Sequence, residues 1–264
     1  MSSSPTDTVA VRDSPASLAA VGTLAYIGET LGHEAVGHGG ACLLTGGRVT
    51  AVTPLWMHCT VQTSLLVLSG PLFNVVFGIA CGAMVYARPR PGLLTLFLWL
   101  SCAFNLLVAC GYLAVGGAVT FGDWAYLLAG LEPAGAWRAS AVILGLLGYY
   151  AVLRGLGRLY LSFAGPFGSE TLAIRTLWPG ASAAVVACAA VFASGHADLA
   201  SLALTLGCTL FVGWSLSRIY DFGLREQPML AHPWIIGVKP GWIAAAVLAS
   251  LAFVLLVGRT SSPG

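Results

Sequence analysis

Long apolar stretches, broken by short polar segments, fill most of the chain. A helix needs about 20 apolar residues to cross a bilayer. Seven stretches approach that length: about 18–44, 63–87, 92–119, 139–162, 180–195, 199–217 and 241–258, the fifth being the shortest. The pattern predicts an all-α polytopic membrane protein with about six or seven transmembrane helices, placed in the cell membrane. Between the first two stretches, Gly46-Gly47-Arg48-Val49-Thr50-Ala51-Val52-Thr53-Pro54 alternates like a short strand after a Gly-Gly break. Non-helical backbone at membrane depth requires cover from protein or water. Pro54 ends the strand, and Trp56 reads as an interfacial anchor. Residues 1–17, rich in Ser, Pro, Thr and Asp, read as a short disordered tail. They lack the basic segment and cleavage site of a signal peptide. Residues 18–264 then form one integral-membrane domain.

Composition agrees with this reading. Charged residues make up 8% of the chain, against about 25% in a soluble domain. A net charge of +2 is too small to suggest a nucleic-acid partner; the lipid bilayer is the expected surroundings. The seven cysteines mostly sit in apolar runs without metal or framework spacing, and read as small buried hydrophobes. With seven spans and the N-terminus inside, nine basic residues lie inside and three outside, namely Arg48, Arg138 and Arg259. That asymmetry favours an inside N-terminus and an outside C-terminus.

Against this background the polar residues inside the spans stand out. Ionisable groups in hydrocarbon cost several kcal/mol each, so they are rare there and usually functional. The first span carries Glu29, His33, Glu34 and His38. His33-Glu34-Ala35-Val36-Gly37-His38 is an H-E-x-x-x-H pattern, one residue longer than the zinc-hydrolase H-E-x-x-H. On a regular α-helix, residues at i,i+4 lie about 40° apart and those at i,i+5 about 140° apart. The two histidines therefore converge only if a π-bulge absorbs the extra residue, and Gly37 eases that distortion. On an unbroken helix the pairs would instead be Glu34 with His38 and Glu29 with His33, as in a site for another, oxygen-loving metal. Carboxylate-bridged di-metal sites draw Glu-x-x-His pairs from several helices, and no second helix here supplies them.

The second span opens with Ser69-Gly70-Pro71-Leu72-Phe73-Asn74. Pro71 frees a backbone carbonyl, Gly70 permits close helix approach, and Asn74 demands a partner. The third span carries Asn105 and ends in a Gly-rich segment that leaves Asp123 near the apolar core; taken alone, Asp123 reads as a helix cap for 124–131. Arg154 and Arg158 read as interfacial anchors, and Glu170 and Arg175 as surface charges. Asp221, among Arg218, Arg225 and Glu226, reads as interfacial and is the other candidate for a carboxylate ligand. His58, His196 and His232 lie outside the spans. Internal repeats, which a carrier would show, are missing.

The His33–His38 segment is similar to the H-E-x-x-G-H of the dipeptidyl peptidase III zinc helix, over six residues. More broadly, residues 20–130 resemble the site-2 protease family of intramembrane zinc metallopeptidases, in its short bacterial form. The resemblance runs in the family's order: the histidine motif, the Gly-Gly-Arg-Val strand segment, Ser69–Asn74 matching G-P-x-x-N, then Asp123 after the next span. Two features depart from the family: the extra residue in the first motif, and Gly122-Asp123 in place of Asp-Gly. The resemblance implies a metallopeptidase-like core over 18–131, with additional transmembrane helices over 132–264. It implies Zn2+ held by His33, His38 and Asp123, with Glu34 as catalytic base. Asn74 would bind the substrate, a membrane-protein or peptide chain, and the strand 48–53 would pair with it. Glu29, one turn before His33, would orient that ring. A catalytically silent relative, acting as a membrane binding or assembly protein, would carry the same motifs.

Overall fold

The computed structural model describes residues 12–119, 122–164, 169–195, 198–219 and 234–257. Helix α1 spans Pro15–Leu31 and continues without a break through a π-helical turn, Gly32–His38, into α2, Gly39–Leu44. A two-stranded antiparallel hairpin follows, β1 Val49–Val52 and β2 Met57–Cys59. The remaining helices are α3 Ser64–Ala87, α4 Leu93–Ala118, α5 Asp123–Leu128, α6 Ala134–Ala164, α7 Ser169–Ala193, α8 Leu199–Ser217 and α9 Pro240–Val257.

Local chemistry sets the helix starts. Ser14 caps α1 by accepting from the Ser17 N–H, with Pro15 at the first helical position, where its missing N–H costs nothing. Thr63 caps α3 and Asp198 caps α8 in the same way. Helix α4 is the hub, packing against α1, α3 and α6. Its Leu96, Trp99, Leu100, Phe104 and Leu107 are almost fully buried, and the Trp99 indole N–H donates to the Leu156 carbonyl at 3.0 Å. The outer faces remain apolar: Ile143, Leu144, Leu146 and Leu147 on α6, and Leu248, Leu251, Leu255 and Leu256 on α9, are exposed. Apolar surface of that extent calls for a lipid environment.

The all-α polytopic architecture with a short strand segment is as expected. Among the described residues, five helices, α3, α4, α6, α7 and α9, are long and apolar enough to cross a membrane, somewhat fewer than the six or seven spans expected. The first expected span is divided by the π turn, and the sixth is the shorter α8. The fifth expected span, 180–195, is instead the C-terminal part of α7, which starts at Ser169 and runs through Pro179.

Two expectations fail here. Arg175 is not a surface charge: it is 1% exposed. Its guanidinium donates to Asp13 at 2.6 and 3.2 Å and to the Trp234 carbonyl, and it stacks over the Trp234 ring. A buried guanidinium requires a charge partner, and Asp13 provides it from far away in sequence. Residues 12–17 accordingly belong to the folded unit and not to a tail. Asp221, Arg225, Glu226, His196 and His232 lie outside the described residues, as does the 165–168 segment.

Candidate metal centre

The π turn does what the five-residue spacing demands. Its i→i+5 hydrogen bonding brings residues five apart onto one face. The Nε2 atoms of His33 and His38 stand 3.1 Å apart, with the rings edge to face. Both side chains are buried, whereas Ala35 and Val36, between them, point outward. Among the described residues, the pairings of an unbroken helix form no metal-ligand group.

Asp123 completes the group. Gly122, with φ +87°, turns the chain after α4 so that α5 begins with Asp123 beside the histidines. Gly122, not Asp123, occupies the cap position of α5. The Asp123 Oδ2 lies 3.4 Å from His33 Nε2 and 3.3 Å from His38 Nε2. The Asp123 backbone N–H donates to the Tyr112 hydroxyl at 3.0 Å, which fixes this turn to α4. Sequence reasoning missed Tyr112; its only signal is a hydroxyl in an apolar helix.

The protons on the two rings follow from their other nitrogens. The Asn74 amide N–H donates to Glu29 Oε1 at 3.0 Å, which turns its Oδ1 toward His33 Nδ1 at 3.3 Å. An amide oxygen only accepts, so Nδ1 of His33 carries the proton. His38 Nδ1 donates to the Leu66 carbonyl at 2.7 Å. Both Nε2 atoms therefore offer lone pairs, and they face a carboxylate oxygen. With both rings neutral, three acceptors converge, a set that suits a cation between them. Ligands at about 2.0–2.2 Å around a tetrahedral zinc lie about 3.3–3.6 Å from one another. The observed 3.1, 3.3 and 3.4 Å are close to that spacing. His33, His38 and Asp123 can thus hold a metal ion.

Close helix approach makes room for the group. A Cβ on Gly37 would stand 2.8 Å from the Gly70 Cα and from the Ser69 carbonyl oxygen. A Cβ on Gly70 would stand 2.7 Å from His33 Nε2 and nearer still to His38 Nε2. The small residues of 69–74 therefore form the wall facing the two rings. Glu34 is buried, and its Oε2 has no hydrogen-bond partner.

The partners of two further residues are now defined. Asn74 is fully buried, and its amide is engaged by His33 and Glu29. Glu29 reaches His33 only through Asn74, and also accepts from the Thr30 hydroxyl at 3.2 Å. His58 is exposed on β2 beside Trp56, away from the group. Two of the cysteines are not free thiols: Cys42 and Cys59 form a disulfide between α2 and β2.

Comparison with family models, characterised proteins and solved structures finds no match to this chain.

Proposed function

We propose that the chain is an intramembrane zinc metallopeptidase of the cell membrane, hydrolysing peptide bonds of membrane-embedded substrates. The observation that carries this reading is the convergence of three lone-pair donors, from His33, His38 and Asp123, at nearly tetrahedral spacing inside a membrane bundle. Three protein ligands leave a fourth position for water or substrate, as catalytic zinc requires. Bound zinc supplies a Lewis acid that acidifies water and polarises a carbonyl.

The chain's own residues supply the rest. Glu34 accepts the proton of the attacking water and passes it to the leaving amine. Its burial without a partner on Oε2 supports this role, because an idle buried polar oxygen costs about 1–3 kcal/mol and a charged one more. Asn74 holds the His33 ring in the tautomer that points Nε2 at the metal, and Glu29 holds Asn74. Strand β1 pairs with β2 on one side only, so an unwound substrate can add to the hairpin as a further strand.

Metal analysis of the purified protein and cleavage of a single-span substrate in liposomes test the proposal together. Glu34→Gln should keep zinc and lower turnover by about 10²-fold or more. His33→Ala should lose metal and activity together. A wild-type chain without zinc, or a Glu34→Gln variant with full turnover, overturns the reading. Zinc without any cleavage points to a silent relative.

A further inference from the structure

Three elements reach the metal group from the same end of the bundle. His38 lies six residues before the end of α2 at Leu44, and Gly70 lies six residues into α3 from Ser64. Each distance is about 9 Å along a helix. Asp123 follows the C-terminal end of α4. Pro15, at the other end of α1, is about 27 Å from His33 along the axis. The group therefore sits in the half of the bundle next to the hairpin.

Two independent markers identify that end. The first is the Cys42–Cys59 bridge, with Cys42 one turn beyond His38 and Cys59 closing β2. Disulfides persist in oxidising compartments and are rare in reducing ones. The second is charge. Arg88 and Arg90 lie in the α3–α4 link, and Arg154 and Arg158 lie toward the C-terminal end of α6. Arg12 precedes α1 and Lys239 precedes α9. These two entry segments are joined by hydrogen bonds from the Ile236 N–H to Asp13 and from the Lys239 N–H to Ser17. All of these basic residues lie at the end away from the hairpin. The hairpin end holds Arg48 and Arg138, and the Arg138 guanidinium donates to the Val119 carbonyl. Basic residues concentrate on the cytoplasmic side, so the hairpin end is the non-cytoplasmic one.

We propose that the metal group opens to the oxidising, non-cytoplasmic side of the membrane. There the Cys42–Cys59 bridge pins the hairpin beside the metal helix, and a substrate segment is presented from that side. The substrate part rests on the peptidase reading; the orientation does not.

The test uses the full chain in intact cells and a membrane-impermeant maleimide mass tag. Without reductant, Cys42 and Cys59 should take no tag; after an impermeant reductant they should take two per chain. Glu132→Cys, exposed between α5 and α6, should be tagged in intact cells, and Arg90→Cys only after permeabilisation. Tagging of Cys42 and Cys59 without reductant, or only after permeabilisation, overturns the proposal, as does a protected Glu132→Cys. Access is read as metal content. Impermeant chelator should strip zinc from right-side-out vesicles at least tenfold faster than from inside-out ones, and the reverse order overturns it. A chain that labels as expected but never holds zinc sinks the peptidase reading and upholds the orientation.

Discussion

Gly70→Ala tests the metal group without touching any ligand. The added Cβ would lie 2.7 Å from His33 Nε2, where ordinary contact begins at 3.4 Å. His33 must therefore retreat by about 0.7 Å, and His38 by more. Metal–ligand bonds tolerate only about ±0.2 Å. Neither ring can tilt freely, because His33 is tied to Asn74 and His38 to the Leu66 carbonyl. Displacing two ligands at once should weaken zinc at least as much as losing an outer hydrogen bond, which costs about 10–100-fold. We expect about 100-fold or more, read by chelator competition on protein purified in detergent. Gly28→Ala is the control, since a Cβ there meets nothing within 4 Å. Zinc binding by Gly70→Ala within about threefold of wild type, with the fold retained, would refute the reasoning.

Asn74→Ala removes the acceptor for His33 Nδ1 and frees Glu29, so zinc affinity should fall about 10–100-fold in the same titration. Arg175→Ala leaves Asp13 buried without its cation. Breaking such a pair costs about 3–5 kcal/mol, and thermal unfolding in detergent should show the loss with zinc stoichiometry unchanged.

The architecture was legible because apolar runs and in-span polar residues follow directly from the bilayer as solvent. His33 and His38 could be joined on paper because their spacing fits only one helical geometry that converges. Asp123 was reachable only through the resemblance, because a carboxylate after a Gly-rich break taken alone reads as a helix cap. The rest was hidden for definite reasons. Cys42 and Cys59 are separated by 17 residues, a spacing that no framework pattern marks. Strand β2, Met57–Cys59, is too short to alternate visibly. Arg175 finds Asp13 across 162 residues, and only the fold brings them together. Charges at Glu170 and Arg175 also masked the start of α7. The partners of Asn74, Glu29 and His33, come only from the fold, because an amide in a span announces a partner without naming it.

The extra residue in His33–His38 has a sharper consequence. A π turn is an α-helix with one residue inserted, and the helices on either side keep their register. Removing one residue from the turn should therefore restore a plain α-helix and leave α1 and α2 where they are. The sequence would become H-E-x-x-H, whose histidines converge at i,i+4, about 40° apart. Val36 is the residue to delete, because it is 60% exposed and lies between buried Glu34 and buried Gly37. Its loss empties no core. The two spacings are then two solutions to one geometric requirement, and deletion of Val36 should bind zinc within about tenfold of wild type. Two signals show whether the flanks stayed in place: the Cys42–Cys59 bridge, by mass tagging, and the unfolding temperature. If both hold and zinc is lost, the convergence depends on the π turn itself, and the equivalence of the two motifs is wrong.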